Sequence, residues 1–205
     1  QGARVAASDV AIANLALTRL GDLRITSLSE NTKPAREVNA VYTMLRDRLM
    51  RRYVWRFAVK RDSVAASTDE PAFGYDYKFP LPSDCLRVLQ VGEYFPGVSL
   101  ADFVGSSSAD YAIEGRYILS NDDGPLYLRY LARIEDPTQF DAAFDVLLSC
   151  DIAEAVAEAL GQFSATKLQL IKQDRKDALR EAVTANAIEN PPEQIADDAW
   201  LLARL

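Results

Sequence analysis

The chain has 205 residues, of which 49% are apolar and 26% charged, and it carries a net charge of −7 with no histidine. This length and apolar content suffice for one large domain or two small ones with a hydrophobic core. The lack of histidine excludes Ser-His and Cys-His nucleophile pairs and the usual zinc ligands within this chain. We therefore expect no enzyme activity, no cofactor and no metal site.

Membrane and secretion signals are not found in the sequence. The longest apolar runs fall short of the roughly 18 residues that span a bilayer. The beginning of the chain lacks the basic and then apolar layout of a signal peptide. We expect a soluble, intracellular protein.

Two helices are predicted in the first quarter of the chain. The first begins at Ser8 or Asp9 and ends at Gly21, which is typical of a helix stop. The second begins after the cap residues Asn31 and Thr32. Its apolar positions recur at helical spacing, which indicates a long helix with one buried face. These positions are Val38, Val41, Tyr42, Leu45, Leu49 and Tyr53.

Positive charge is concentrated where the second helix ends. Seven basic residues lie in the interval 46–61 against one acid, Asp47, and this net charge of +6 leaves −13 on the rest of the chain. Such asymmetry favours a surface that meets an anionic partner, either DNA phosphates or the acidic surface of a neighbouring copy. A solvated helix face with ion pairs is the alternative. The basic cluster consists of Arg46, Arg48, Arg51, Arg52, Arg56, Lys60 and Arg61.

Four further residues are predicted to be buried. Trp55 and Phe57 follow the second helix and are expected to anchor the core, rather than to form a ligand cage. Cys85 and Cys150 lie in unlike settings, the first before a predicted strand and the second on an apolar helix face. We expect both to be free, buried thiols without a disulfide.

The interval 71–137 is predicted to be β structure. Apolar and polar residues alternate there, and tyrosine, glycine and proline are concentrated, which indicates four or five short antiparallel strands. The segment 95–110 is predicted to be a long loop. Six tyrosines are expected to pair across strands, with a stacking platform for single-stranded nucleic acid as the alternative. They are Tyr75, Tyr77, Tyr111, Tyr117, Tyr127 and Tyr130.

Helices return after this interval. One is predicted to end at Gly161, and Ser164 caps the next. The predicted fold is therefore α+β. Residues 1–70 and 138–188 form an antiparallel helical bundle, 71–137 are an inserted antiparallel β region, and 189–205 are an extended C-terminal tail. The tail ends in a hydrophobic group that we expect to dock on a partner, since tryptophan is favoured at interface centres: Trp200, Leu201, Leu202 and Leu205.

Three stretches of the chain carry a resemblance to a known family. They are ANLALTRLGDLRITSLSENTKPAREVNAVYTMLRDRLMRRYVWRFAVKR, FGYDYKFPLPSDCLRVLQVGEY and YAIEGRYILSNDDGPLYLRYLARIEDPTQFDAAFDVLLSCDIAEAVAEAL. In these stretches and their order the chain resembles the tail tubular protein A family, the head-to-tail adaptors of short-tailed bacteriophages, over roughly residues 8–190. The resemblance implies a helical bundle with a β insertion, assembled as a twelve-fold ring below the portal protein and above the tail nozzle protein. It implies no catalytic residues.

The partners implied by this resemblance are further copies of the chain, the portal, the nozzle and DNA that passes through the ring without sequence specificity. The protein would lie in the virion tail, and in the host cytoplasm during assembly. We expect the basic cluster to lie at subunit or portal contacts, with contact to DNA in the lumen as the alternative. A different reading of the whole chain is a basic-helix nucleic-acid-binding module or DNA-packaging accessory protein.

Overall fold

Four α-helices, six β-strands and two short 3-10 turns make up the described part of the chain. This part divides into two units, one formed by residues 8–58 and 133–188 and the other by 59–132. The first unit is helical and the second holds all six described strands, so the predicted α+β class is confirmed. The structure, a computed structural model, describes residues 8–92, 111–161 and 164–188.

The first two helices begin and end where the local sequence predicts. Helix α1 spans Asp9–Leu20, and Ser8 accepts a hydrogen bond of 3.1 Å from a first-turn backbone N–H. Gly21 ends it with a φ of 71°, a left-handed conformation that favours glycine. Helix α2 spans Lys33–Arg52 and is capped by Thr32, again through the side-chain oxygen.

Helix α3 spans Ala142–Val156 and helix α4 spans Ala165–Ile188, capped by Asp141 and Ser164 respectively. Helix α3 contacts α1, α2 and α4, and it is apolar on nearly all sides, as expected for a central helix. It ends at Val156 and is shorter than predicted, since residues 157–161, including Gly161, form a turn. No helix in the described ranges is both long and apolar enough to cross a membrane.

Four aromatic residues form the core beside α3. Trp55 is 3% exposed, and its ring centroid lies 5.0 Å from that of Phe144 in an edge-to-face arrangement. The indole N–H donates a 3.0 Å hydrogen bond to the Leu49 carbonyl, which satisfies the one polar atom of the side chain. Phe57 and Phe140 complete the aromatic cluster, with centroids 5.1 and 5.0 Å from that of Phe144. Trp55 is therefore a core anchor, as predicted.

The β unit contains two three-stranded antiparallel sheets, with strand orders β1-β6-β3 and β2-β5-β4. The strands are β1 Val59–Val64, β2 Tyr77–Pro80, β3 Cys85–Val91, β4 Tyr111–Glu114, β5 Tyr117–Ser120 and β6 Leu126–Ala132.

The β region begins earlier than the sequence indicates. The sequence predicts that residues 1–70 are part of the helical bundle. In the structure, strand β1 (Val59–Val64) instead pairs with β6 along its whole length. The sequence VKRDSV lacks alternating apolar residues because β1 is an edge strand with no fully buried side chain. Only its pairing partner identifies it as a strand. At the other end, residues 133–137 belong to the helical unit.

In the described strands, tyrosines pair with other residue types and not with each other, and Tyr75, which was expected to pair as well, lies outside the strands. Tyr77 and Tyr111 oppose Ser120 from either side of β5. Tyr117 lies under a lysine, with the Nζ atom of Lys78 5.0 Å from the ring centroid. The predicted loop at 95–110 lies outside the described residues.

Both cysteines are buried free thiols, as the sequence predicts. Burial raises the pKa of the Cys150 thiol, which disfavours the reactive thiolate.

We predict that Phe144→Ala lowers the free energy of unfolding by about 3–5 kcal/mol, because it removes the ring that three other aromatic residues contact and leaves a cavity. Phe144→Leu retains most of the volume and should cost less. Urea unfolding followed by circular dichroism measures both. Equal, small losses in the two variants would contradict a tightly packed aromatic cluster.

Candidate interaction surface

The basic cluster predicted from the sequence is divided between the two units. Helix α2 carries four of its arginines, and Arg56 lies in the 3-10 turn Arg56–Ala58 of the same unit. Lys60 and Arg61 belong to strand β1 of the other unit. The run of positive charge in the sequence is therefore not one helix face.

Arg46 points into the helical unit. Its side chain is 7% exposed and donates two hydrogen bonds, of 3.0 and 2.9 Å, to one oxygen of Asp47. The other Asp47 oxygen accepts from the Nε atom of Arg133 at 2.6 Å. Arg46 follows Tyr42 by one turn and shares its buried stripe. It adds nothing to the exposed positive charge, which a count of charges along the sequence does not reveal.

Arg48 joins the surface to a buried carboxylate. Asp151 of α3 has a side chain only 1% exposed, and it accepts a hydrogen bond from the Nε atom of Arg175 in α4. This bond raises the pKa of Arg175. The Nη2 atom of Arg48 lies 3.5 Å from the second carboxylate oxygen, although the Arg48 side chain is 60% exposed. Three helices thus meet at one carboxylate.

Sequence reasoning missed this carboxylate and Arg175. The sequence did contain one sign of this site. Asp151 is an acidic residue among the buried apolar residues of helix α3. A buried acid needs a cationic partner. The sequence did not indicate which of the many cations in the chain that partner is.

The last turn of α2 presents the exposed part of the basic cluster. Arg51 and Arg52 are both exposed, and the Arg52 guanidinium lies 5.5 Å from the ring centroid of Tyr53. We call Arg48, Arg51 and Arg52 the helix-end arginines. Cations at this end of a helix also offset its macrodipole, by about 0.3–1 kcal/mol each. They therefore have a structural role beside any role in binding.

Lys60 has a partner within the β unit. Its Nζ atom lies 2.8 Å from Asp84, which also accepts a 3.1 Å hydrogen bond from the Tyr130 hydroxyl. Burial acts to raise the pKa of Asp84, but the hydrogen bonds from Lys60 and Tyr130 outweigh it and lower the pKa. Lys60 thus serves the β unit itself.

Comparison with known proteins assigns no role to these residues: no protein-family model matches the chain, and no curated protein matches it either. The surface is therefore interpreted from its chemistry. Exposed guanidinium groups bind carboxylates and phosphates through paired N–H donors. Over the described ranges, no three His, Cys, Asp or Glu side chains are grouped as a metal site would require. The predicted docking group of Trp200, Leu201, Leu202 and Leu205 lies outside the described residues.

We predict unequal roles for the two arginines that bind Asp151. Arg175→Met leaves the carboxylate buried with a single distant cation and should cost about 3–5 kcal/mol of unfolding free energy. Arg48→Met removes a mostly exposed partner and should cost about 0–1 kcal/mol.

Adding Asp151→Asn to Arg175→Met should recover part of the loss, because the uncompensated charge is then gone. Denaturant unfolding of the wild type and the three variants gives these values. A double variant no more stable than Arg175→Met would show that lost packing, and not the buried charge, causes the effect.

Proposed function

We propose that this protein is a ring-forming head-to-tail adaptor of a short-tailed bacteriophage. It joins the portal to the tail nozzle, surrounds the DNA channel and performs no catalysis. The antiparallel arrangement of the helices as a bundle and the extended C-terminal tail at 189–205 are part of the proposal. The resemblance over residues 8–190 supports it.

The structural observation that carries the proposal is the group of helix-end arginines on a chain with a net charge of −7. A ring of identical subunits uses two different faces of each subunit, which meet head to tail. Opposite charges on those faces fix the register of the contact and reject wrong alignments. Cations gathered at one helix end in an acidic chain supply one of the two faces.

The contact between Arg48 and Asp151 makes this face suited to binding. A guanidinium already held by a carboxylate loses less conformational freedom when it meets a partner. The stacking of Arg52 near Tyr53 acts in the same way. The acidic remainder of a neighbouring copy, or of the portal, is the matching surface.

The overall acidity of the chain also fits a channel through which DNA slides. Each phosphate that a protein neutralises adds salt-dependent affinity, and strong affinity would hold the DNA in place. A subunit with a net charge of −7 limits this affinity. Under the alternative function, a nucleic-acid-binding module, the same arginines would bind phosphates and retain DNA in low salt.

We predict that Arg51→Glu with Arg52→Glu abolishes incorporation into rings while the subunit stays folded. The reversal places two acids at the negative end of α2, so a loss of roughly 1–2 kcal/mol in stability is expected. Mass photometry, with and without the portal protein of the same phage, measures ring formation.

The control is Lys176→Glu with Arg180→Glu, which makes the same change in charge at exposed positions of α4. The control should form rings normally. If the wild-type chain stays monomeric with and without portal and binds DNA in a salt-dependent way, the adaptor function is wrong and the nucleic-acid-binding module is favoured. If the reversed variant forms rings but no longer retains DNA, the arginines face the lumen.

The C-terminal tail provides a separate prediction. Deletion of residues 199–205 removes the proposed anchor and should weaken attachment to the portal without changing the Tm of the isolated subunit, because a docking segment adds contacts only to the partner. Trp200→Ala should reproduce most of the effect. A lowered Tm with normal attachment would instead mean that the tail completes the fold of its own subunit.

A further inference from the structure

The β unit contains an open cleft of about 290 Å³ on the sheet β1-β6-β3. Its lining includes an amide, two guanidinium groups and a phenol ring, from Gln90, Arg61, Arg129 and Tyr127. The described lining residues all belong to the β unit. The cleft takes no part in the adaptor function proposed above, so its polar lining needs a separate explanation.

Three of these side chains lie side by side on one face of the sheet. Arg129 on the central strand β6 is the direct cross-strand partner of Gln90 on β3, and directly opposed residues of antiparallel strands point to the same face. Tyr127 precedes Arg129 by two positions on the same strand, which also places it on that face. The cleft therefore combines an amide, a guanidinium group and an aromatic ring within two neighbouring strands.

Two donors in this group lack acceptors. Gln90 is only 5% exposed, and its Nε2 atom has no hydrogen-bond partner among the described residues. The Nε atom of Arg129 is likewise buried without a partner there. Buried donors are nearly always satisfied in folded proteins, because leaving one unpaired carries its full desolvation penalty. The two neighbouring donors therefore indicate a ligand that brings acceptor atoms into the cleft.

The charges of the lining do not require that ligand to be an anion. Arg61 already has an interaction within the protein. Arg129 is only partly buried, so solvent screens its charge although its Nε atom is enclosed. Asp62 in the same lining is negatively charged and repels an anion. Hydroxyl groups suit this mixture, because each one accepts from an N–H group and can also donate to a carboxylate.

The ring of Tyr127 adds a flat apolar surface beside the two donors. Tyr127 is 46% exposed, so part of its ring is open to a ligand. The face of an aromatic ring carries partial negative charge and attracts weakly positive C–H groups. In a pyranose ring, the C–H groups lie on the ring faces and the hydroxyl groups project from the edge. One such ring can rest on Tyr127 while its edge hydroxyls reach Gln90 and Arg129.

We propose that this cleft binds a pyranose ring of an uncharged saccharide. Gln90 and Arg129 donate to adjacent ring hydroxyls, and Tyr127 packs against a C–H face of the sugar. The volume is close to the lower end of small-molecule sites, roughly 300 Å³, which suits a ligand of this size. A nucleobase also stacks on tyrosine, but the phosphates that accompany it in a nucleic acid would meet the negative charge of Asp62. The lining therefore favours the neutral sugar.

Saturation-transfer NMR titration of the full chain with glucose, galactose, mannose and N-acetylglucosamine tests this site, and it applies to a monomer and to a ring alike. At least one of these sugars should bind, with a Kd in the millimolar range. Sorbitol has the hydroxyl groups without a ring face, and it should bind about tenfold more weakly because its flexible chain must be ordered. Glucuronate adds a carboxylate to the ring and should bind no more tightly than glucose.

Two variants assign the binding to the cleft. Gln90→Leu removes an unpaired donor at similar volume, so it should weaken sugar binding about tenfold while the Tm is unchanged or raised, because an apolar side chain requires no acceptor. Tyr127→Ala should weaken binding about tenfold through loss of the ring contact. Tyr127 is half-exposed, so its variant remains informative if Gln90→Leu is unstable. The matched control is Tyr117→Ala, which removes a tyrosine of 39% exposure from the other sheet and should bind as wild type.

Three outcomes would overturn the proposal: no binding of any of the four sugars, equal weakening in Tyr117→Ala and Tyr127→Ala, or unchanged binding in a folded Gln90→Leu. Tighter binding of glucuronate than of glucose would also overturn it, since the site would then select an anion. A single-stranded oligonucleotide that displaces the sugar at lower concentration would assign the cleft to nucleic acid instead. None of these readouts depends on ring formation, so the site and the adaptor function can fail separately.

Discussion

The buried carboxylate of Asp151 is the constraint on which the helical unit depends. A charge that is only 1% exposed is tolerated in an apolar helix only when cations and hydrogen bonds replace the lost water. Arg175 supplies the first partner from α4, and Arg48 supplies the second from α2. Helix α3 therefore cannot shift or rotate against α4 without leaving this charge with only the 3.5 Å contact to Arg48. Burial of apolar side chains provides most of the stabilising free energy. The carboxylate restricts how the helices can be placed against each other, which apolar burial alone would leave less defined.

The same constraint links the core to the surface. Arg48 reaches the buried carboxylate from a side chain that remains mostly exposed, so one residue belongs both to the packing of the unit and to its basic surface. A second link has the same form, since Arg19 of α1 bonds Asp174 of α4 at 2.9 Å and also approaches Ser149 of α3. Ion pairs between helices thus stabilise the unit, and they also fix the positions of arginines that remain partly exposed, such as Arg48 and Arg19.

Positive charge in this acidic chain is used in three different ways. Arg46 forms an ion pair with Asp47 in the helical unit, and Lys60 forms one with Asp84 in the β unit. The helix-end arginines are exposed at the end of α2. Arg61 instead lies directly opposite Arg129 in the pairing of β1 with β6. A sequence run with a net charge of +6 therefore contains one exposed helix end, one arginine in a cross-strand pair and two structural ion pairs.

The sequence by itself determined the features whose causes are local. Ser8, Gly21 and Thr32 mark helix ends because capping involves residues within about four positions. The strand Leu126–Ala132 is predictable because its apolar residues alternate along one buried face. Tertiary structure alone decided which cation pairs with Asp151, since Arg175 is 24 and Arg48 103 positions away. It also decided that the charged segment Val59–Val64 is a strand, because an edge strand is specified by its partner and not by its own pattern. Contacts between distant residues follow from how the whole unit packs, which no short stretch of sequence contains.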